Sequence, residues 1–289
     1  MKRYIALMLA AFIILLCACG SREAEVSPSI DPYEGMIEVE SGLGTLMWAE
    51  EYNNVPVSKF SKEEFSVSGQ MVAYSGDKFE TSWGIDISEH QREIDWEKVG
   101  ESGVSFAIIC AGYRGYSVGS IFEDEFFRSN IEGALQNGID VGIYFFSQAI
   151  TIDEAIEEAR FVLDLIAGYD ITLPVFFDWE TIGIEPARTD ELSQNDLTDC
   201  AVAFCEEIEG AGYMSGVYMY RYLAYYSYDL ERISGYTLWI GAIGDYPDFY
   251  YSHDIWQYSI LGWIDGIETD VDLNLLFSPI VNGEKRLSE

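Results

Sequence analysis

The sequence predicts an α/β fold in which a largely parallel sheet closes into a barrel. From Trp83 onward, strand-like and helix-like segments alternate, which is the pattern of a parallel sheet covered by helices. Five of the predicted strands are followed by helices and the last three are not, a count that fits a closed barrel. An open doubly wound sheet is the competing architecture, but no GxGxxG motif follows the first strand.

The N-terminus has the layout of a secretory signal. Residues 1–18 begin with Lys2 and Arg3, continue as an unbroken apolar stretch and end in small residues. The stretch LCAC, which ends at Cys19, resembles the lipobox of bacterial lipoproteins, in which this cysteine is acylated after cleavage just before it. A plain signal peptide and an uncleaved anchor helix are the alternatives. We therefore expect an extracytoplasmic protein that is either anchored to the cell membrane by lipid or secreted.

Two segments separate this signal from the predicted barrel. Residues 19–45 are rich in Ser, Pro, Gly and Glu, which indicates a flexible acidic tether. Residues 46–82 are more apolar, and FSVSGQMVAY predicts a hairpin around Gly69, so we interpret this segment as a small appendage. The barrel is assigned to residues 83–280 and a polar tail to residues 281–289.

Hydrophobic periodicity predicts the positions of the barrel elements. The clearest helix, residues 151–168, opens with the capping-box pair Thr151 and Glu154 and ends in glycine. Further helices are predicted at residues 122–138 and 193–212, and a short one near Asp95. Strands are predicted at residues 83–88, 104–111, 139–147, 172–180, 214–220, 237–243 and 254–259, with a last pair around WIDGI (263–267) and VDLN (271–274).

The charge of the chain excludes several classes of partner. It carries 50 Asp and Glu residues against 16 Lys and Arg residues, a formal net charge of −34. Nucleic-acid binding depends on clustered Lys and Arg, so it is excluded, and so is charge-driven adsorption to anionic lipid.

Two acids follow an apolar run in LPVFFDWET, residues 173–181. Because successive side chains of a strand alternate faces, Asp178 and Glu180 point the same way, roughly 6.5 to 7 Å apart. Asp86 lies near the end of the first strand, and Asp270 and Asp272 bracket the last, so several acids would converge on the C-terminal mouth of a barrel. An acid at a strand end is also a common turn former or helix N-cap, which is the alternative role for Asp86. Clustered carboxylates raise one another's pKa, and a protonated acid beside an ionised one is the equipment of glycoside hydrolysis.

Several aromatic residues also fall at or near predicted strand ends. Sugars present apolar faces that stack on such rings, whereas a single ring is more often part of a core. We predict five of them as substrate-binding platforms: Tyr113, Tyr144, Tyr218, Trp256 and Tyr258.

The sequence indicates no metal or other cofactor. Its two histidines, His90 and His253, do not lie at a ligand spacing. The three cysteines beyond Cys19 lack one as well, and Cys200 and Cys205 diverge on a predicted helix, so we interpret Cys110, Cys200 and Cys205 as structural thiols.

From Trp83 to Phe277 the chain resembles glycoside hydrolase family 25, the muramidases of the Chalaropsis type. The resemblance rests on GIDIS..Q (84–91), IDW (94–96), FAIICAGY (106–113), GIDVGIYFF (138–146), LPVFFDWE (173–180), WQYS (256–259) and VDLN (271–274). It implies a TIM-like (β/α)5(β)3 barrel that cleaves the β-1,4 bond between N-acetylmuramic acid and N-acetylglucosamine in peptidoglycan glycan strands. We expect such a lysozyme to be a monomer without a cofactor.

The resemblance also implies roles for the four acids. Glu180 is expected to be the general acid that protonates the glycosidic oxygen. Asp178 either positions the substrate N-acetyl group for attack on the neighbouring carbon or helps to orient a water molecule. Asp86 and Asp272 are expected to hold these two groups, with charges that keep the proton on Glu180. Retention of configuration through the N-acetyl group is the preferred route, because a same-face pair leaves little space for water between the carboxyls.

One segment departs from the family's pattern. The family usually has W-hydrophobic-A-x-Y after the sixth strand, whereas WIGAIGDY (239–246) lacks the expected polar residue and tyrosine or displaces them to Asp245 and Tyr246. Two other functions stay open. One is a wall-binding lipoprotein that has lost turnover, and the other is a family 18 chitinase, although the DGxxDxDxE motif of that family does not precede Asp178.

Overall fold

The computed structural model of the protein describes residues 31–42, 44–183, 186–281 and 284–285. The predicted signal, the predicted lipidation site Cys19 and the last four residues lie outside these ranges. The strands and helices of the described residues all lie within Gly35–Glu289. Within the described ranges, no helix combines the length and the apolar character needed to cross a membrane.

Two antiparallel hairpins precede the barrel. The first pairs β1 (Met36–Glu40) with β2 (Leu46–Glu50), and the second pairs β3 (Phe65–Ser68) with β4 (Met71–Tyr74). The second lies where the sequence predicts a hairpin, and Gly69 supplies the positive φ of its turn, 63°. The first differs from the predicted tether, because Val39 of β1 and Ala49 of β2 are buried in the main core.

Eight strands close into a barrel, so the protein has the predicted mixed α/β barrel architecture. Strands β5, β6, β8, β9, β10, β11 and β12 pair in parallel in that order, and β13 closes the ring by pairing antiparallel with β12 and β5. The short strands β7 and β14 pair with β6 and β13 outside the ring. The bounds are β5 (Phe79–Ile87), β6 (Phe106–Arg114), β7 (Ile121–Glu123), β8 (Asp140–Phe146), β9 (Val175–Asp178), β10 (Ser215–Tyr220), β11 (Thr237–Gly241), β12 (Ile255–Gly262), β13 (Val271–Val281) and β14 (Glu284–Lys285).

Helices follow each of the first five barrel strands, and residues 242–254 between β11 and β12 contain none. The clearest predicted helix is α3, where the Thr151 side chain accepts a hydrogen bond from the Glu154 backbone N–H at 3.3 Å. Its apolar stripe, which includes Ala155, Val162 and Ile166, is buried against the outside of the barrel. The bounds are α1 (Trp96–Glu101), α2 (Phe127–Gln136), α3 (Ile152–Ile166), α4 (Gln194–Gly210), α5 (Arg221–Tyr226) and α6 (Leu230–Ile233).

Strand alternation divides the apolar side chains between two cores. A small cluster that contains Phe106, Phe176 and Ile255 fills the inside of the barrel. A larger one, which contains Phe177 and Trp256, lies between the barrel and the elements around it. Because side chains two apart share a face, the residue two positions beyond an inner-face residue also points inward. This rule puts Asp178 beyond Phe176 and Gln257 beyond Ile255 at the mouth of the barrel.

Two predicted elements are wrong in the structure. Residues 122 and 123 belong to β7 rather than to a helix, because Phe122 stacks on Tyr113 of β6 with ring centroids 5.2 Å apart. WIDGI, residues 263–267, forms a loop rather than a strand. Gly266 turns the chain there with φ of 100°, and Trp263 remains exposed.

The three cysteines in the described part of the chain are buried and unpaired, in agreement with their interpretation as structural thiols. Burial raises the pKa of the Cys200 thiol to about 12 and that of Cys205 still further. Such neutral thiols pack as small apolar groups.

Candidate active site

The C-terminal ends of the barrel strands open into a cavity of about 690 Å³. All eight barrel strands contribute to its wall, and all four acids predicted as catalytic lie there. The strand residues are Asp86, Cys110, Tyr113, Tyr144, Phe146, Asp178, Tyr218, Tyr220, Trp239, Gln257, Ile260 and Asp272, and loops add Ser88, Glu89, His90, Asp124 and Glu180.

Asp86 and Asp272 are direct register partners on the antiparallel strands β5 and β13. Oδ2 of the buried Asp86 accepts hydrogen bonds from Asn274 Nδ2 at 2.6 Å and from Gln257 Nε2 at 3.0 Å. Gln257 Nε2 also donates to Asp272 Oδ2 at 3.1 Å. One amide group therefore holds both carboxyls in place.

The two carboxyls have different protonation states. Burial raises the pKa of Asp86 to about 6, against the lowering effect of the hydrogen bonds from Asn274 and Gln257. Burial and the charge of Asp86 raise the pKa of Asp272 to about 8. The higher pKa of Asp272 therefore favours the state of the pair in which Asp272 carries the proton and Asp86 the negative charge.

Asp178 ends β9 between two register partners, Phe146 of β8 and Tyr218 of β10. Its carboxyl is buried, and among the described residues its Oδ1 has no hydrogen-bond partner. Burial, together with the charges of Glu180 and Asp86, raises the pKa of Asp178 well above its usual range. A buried polar atom without a partner is uncommon, and this one borders the cavity, where a polar group of a ligand can satisfy it.

Glu180 lies just beyond the end of β9 and lines the same cavity as Asp178, as the same-face argument predicts. Burial, followed by the charge of Asp86, raises the pKa of Glu180. The neighbouring charge that acts on Glu180 is that of Asp86.

A buried amide supports the loop that carries Glu180. Gln148 Nε2 donates to the main-chain oxygen of Glu180 at 3.1 Å, and Gln148 Oε1 accepts from Thr189 Oγ1 at 2.8 Å. Both side chains are buried, which fixes the backbone of Glu180 relative to the strand ends.

Three of the five predicted platforms line the cavity: Tyr113, Tyr144 and Tyr218. The Tyr218 hydroxyl donates to Gln257 Oε1 at 2.8 Å, which orients the Gln257 amide toward the acids. Trp239 orients the other amide in the same way, because its Nε1 donates to Asn274 Oδ1 at 2.8 Å. Tyr218 and Trp239 therefore line the cavity and also orient the two amides that bind Asp86.

The prediction for Trp256 and Tyr258 is wrong. They alternate with the inward-facing Gln257, so both point out of the barrel and are buried. Trp256 packs edge-on against Phe65 of the second hairpin at 5.8 Å, and the Tyr258 hydroxyl accepts from Trp83 Nε1 at 2.7 Å. Neither ring is available to a ligand in the cavity.

The two amides that organise the acids were not among the residues predicted for the site. Gln257 lies in the WQYS motif and Asn274 in VDLN, two residues from Asp272 on the same face of β13. The period of two along these strands was the signal that could have identified both. Tyr220, two residues after Tyr218 on β10, also lines the cavity and follows the same period of two.

Only part of segment 239–246, which departs from the family's pattern, lies at the cavity. Trp239 lines the cavity, whereas Asp245 and Tyr246 do not. Asp245 is exposed, and Lys62 Nζ lies 4.8 Å from the centroid of the half-buried Tyr246 ring. The displaced acid and tyrosine therefore do not replace the side chains expected at the cavity.

The two histidines occupy different surroundings. His90 lines the cavity, whereas His253 is buried among Phe60 and Phe249, and burial lowers the pKa of His253 to about 4. Across the described ranges, no group of three or more His, Cys, Asp or Glu side chains is arranged to hold a metal ion.

Relatives of known name match most of the barrel. The autolytic lysozyme of Clostridium acetobutylicum is 27% identical over 203 residues, which are 69% of this chain and 57% of that protein. The modular autolysin LytC of Streptococcus pneumoniae, solved in complex with a synthetic peptidoglycan ligand, superposes with a TM-score of 0.60 at 24% identity over 84% of this chain and 56% of that one. The chain thus spans just over half the length of these two relatives.

A family 25 glycosyl hydrolase from Bacillus anthracis superposes with a TM-score of 0.56 at 22% identity, over 68% of this chain and 89% of that structure. At such identities, the two solved structures establish the shared fold alone. The model of the family described as glycosyl hydrolases family 25 matches residues 85–267, which are more than half of the chain and include Asp86, Asp178 and Glu180. This match, on an eight-stranded barrel with its acids at one mouth, shows that the chain belongs to glycosyl hydrolase family 25.

Proposed function

We propose that the protein is a peptidoglycan hydrolase, an N-acetylmuramidase that cleaves the β-1,4 bond between N-acetylmuramic acid and N-acetylglucosamine. The observation that carries the proposal is the pair Asp178 and Glu180 in one cavity, where Asp178 keeps a buried oxygen without a partner among the described residues. The relatives named a lysozyme and an autolysin, and the synthetic peptidoglycan ligand bound to LytC, support the choice of substrate.

Glu180 is the proposed general acid. Burial and the charge of Asp86 raise the pKa of Glu180, which favours the protonated carboxyl that a general acid needs. It gives this proton to the glycosidic oxygen as the bond from that oxygen to the anomeric carbon breaks. The ionised Glu180 then accepts a proton from the water that attacks the anomeric carbon.

Asp178 is proposed to act on the N-acetyl group of the sugar at the cleavage point. The amide N–H of that group can donate to Oδ1 of Asp178, which turns the acetyl oxygen toward the anomeric carbon. Attack by this oxygen forms a cyclic intermediate that water opens with retained configuration. Substrate assistance of this kind is a known exception to the scheme with two enzyme carboxylates.

The N-terminal sequence supports a proposal for the cellular location of the protein. We infer a lipid at Cys19 that anchors a monomer to the outer side of the cell membrane, with a barrel of the TIM-like (β/α)5(β)3 type. The helices after the first five barrel strands and their absence from residues 242–254 support this description of the barrel.

Glu180→Gln tests the chemistry. Hydrolysis of purified peptidoglycan, followed by release of reducing ends, should fall by at least about 100-fold, the usual contribution of a general acid. Binding to the insoluble polymer should persist. The matched control is Glu89→Gln, the same change in the same cavity, which should retain most activity. Full activity of the Glu180 variant would remove the general-acid role.

A further inference from the structure

A second cavity adjoins the catalytic one. Its volume is about 1130 Å³, and loops 91–95 and 263–269 form most of its wall. Three chain segments pass from the wall of the first cavity to that of the second. In each segment the first residues line the catalytic cavity and the later ones line the second cavity. The three pairs are Ser88–His90 with Gln91–Asp95, Asp124 with Phe126, and Ile260 with Trp263.

Trp263 is the most exposed tryptophan in the described part of the chain, at 65% of its surface. Trp239 and Trp256, by contrast, are almost completely buried, as large aromatic side chains usually are. Its neighbour Leu261 is also exposed, at 72%. An exposed apolar surface beside a cavity is typical of a binding site.

The second hairpin fixes the position of Trp263. Gln70, in the turn between β3 and β4, donates from Nε2 to the Trp263 carbonyl at 2.6 Å and accepts from the Trp263 N–H at 2.9 Å. These two bonds clamp the backbone on both sides of the residue, so the exposed ring projects from a fixed support. The family model begins at residue 85 and does not include this hairpin.

The facing wall is also held in place. Gln91 accepts from the Ser88 N–H at 2.9 Å and donates to the Asp270 carbonyl at 3.0 Å, which ties the two loops together. Arg92 is the one non-glycine residue of the described ranges with positive φ, 58°. Strained backbone of this kind is found preferentially at ligand sites.

The chemistry of the wall suits a sugar. A tryptophan face accepts the apolar face of a pyranose, and the surrounding Arg92, Glu93 and Glu268 side chains offer donors and acceptors for hydroxyl and acetamido groups. Acids outnumber bases in this wall, and Lys98 is already paired with Asp95 at 3.2 Å. An uncharged sugar, such as N-acetylglucosamine, is therefore favoured at this wall over the carboxylate of N-acetylmuramic acid.

We propose that the second cavity binds further N-acetylated sugars of the glycan strand that is cleaved in the catalytic cavity, with the Trp263 ring stacked on one of them. The inference rests on the proposed function, because it assumes that the strand occupies the first cavity. It gives the second hairpin a role in substrate binding through Gln70.

The test compares two substrates on the full secreted chain. One is a tetrasaccharide and the other a long glycan strand, both freed of stem peptides by an amidase. In Trp263→Ala, the ratio of kcat/KM for the long strand to that for the tetrasaccharide should fall roughly tenfold, the loss expected for one aromatic anchor. Gln70→Ala should lower the same ratio by a smaller factor. The control Trp48→Ala removes an exposed tryptophan that lines neither cavity and should leave the ratio unchanged.

The ratio is insensitive to a general loss of folded protein, so a fall confined to the Trp263 and Gln70 variants supports the proposal. Equal ratios in all variants would overturn it while the proposed function stands. An effect seen only on strands that keep their stem peptides would also overturn it, because the occupant would then be peptide. If the parent protein cleaves neither substrate, the proposed function fails. In that case, calorimetry of long-strand binding to the parent protein and to Trp263→Ala tests the inference independently of hydrolysis.

Discussion

Asp86 and Asp272 face each other across β5 and β13, and the higher pKa of Asp272 favours Asp272 as the carrier of the proton between them. The pair therefore contributes one negative charge to the cavity, at Asp86, where two amides stabilise it. That charge raises the pKa of Glu180. The two aspartates are thus unequal, and their amide variants are expected to differ.

Asp86→Asn should narrow the pH range of hydrolysis. Without the charge of Asp86, the pKa of Glu180 falls. The upper pH limit of activity therefore moves to a lower pH. Asp272→Asn should move this upper limit less, because an amide can still donate to the ionised Asp86. The measurement is the pH profile of kcat/KM on soluble glycan strands, and equal shifts in the two variants would contradict this assignment.

Asp178→Asn should reduce kcat by about 100-fold or more, with a smaller change in KM. Its amide can no longer offer two acceptor oxygens to the substrate N-acetyl group. A substrate with an N-trifluoroacetyl group, whose oxygen is a weaker nucleophile, should be cleaved slowly by the parent protein. Equal rates on the acetyl and trifluoroacetyl substrates would contradict attack by the acetyl oxygen.

Asp272 should also make stability depend on pH. Its folded-state pKa, about 8, lies above the ordinary value of 3.8, so its contribution to stability is complete below about pH 4 and is lost as the pH rises toward 8. Asp272→Asn removes this loss and should raise the free energy of unfolding at pH 8 by at least about 1 kcal/mol relative to the parent protein. Urea unfolding at pH 5 and pH 8 checks this, and a difference independent of pH would refute it.

Phe65→Ala should destabilise the barrel without altering its chemistry. Phe65 packs against Trp256, Phe60 and Tyr74, with ring centroids 5.2 to 6.1 Å apart within this cluster. Its removal should lower the free energy of unfolding by about 2 to 3 kcal/mol, less than the roughly 3 to 5 kcal/mol of a fully buried phenylalanine, because Phe65 is half-buried. Val67→Ala on the same strand is the control, since Val67 is exposed. Similar urea midpoints for the two variants would mean that the hairpin does not support the barrel.

Cys19→Ser should release the protein from membranes. The neighbouring Cys17→Ser lies in the same stretch but is not the proposed acylation site, so it should leave the protein membrane-bound. Immunoblots of membrane and soluble fractions distinguish the two. Retention of the Cys19 variant in membranes would show that another anchor operates.

Local periodicity was sufficient for the main features of the site. The alternation of faces along LPVFFDWE predicted that Asp178 and Glu180 share a cavity, and strand counting predicted the closed barrel. The same alternation, applied to WQYS, would have selected Gln257 and rejected Trp256 and Tyr258. These two residues were chosen because they are aromatic, a property shared by cores and binding sites.

Other features depend on contacts between distant parts of the chain. The pairing of Asp272 with Asp86 joins residues from the two ends of the barrel, and the clamp on Trp263 comes from Gln70 in a hairpin before it. Apolar residues in WIDGI resemble a strand, but Ile264 and Ile267 are buried as loop anchors while Trp263 is exposed. No local pattern distinguishes these cases, because the deciding partners are far away in sequence.

The identity of the sugar at the newly formed reducing end tests the central claim most directly. Purified peptidoglycan is digested with residues 20–289, the fragments are reduced with borohydride, and the ends are identified by mass spectrometry. We expect N-acetylmuramitol at the new ends. N-acetylglucosaminitol would show that a different bond is cleaved, and the absence of any released fragment would contradict hydrolysis and favour a wall-binding protein.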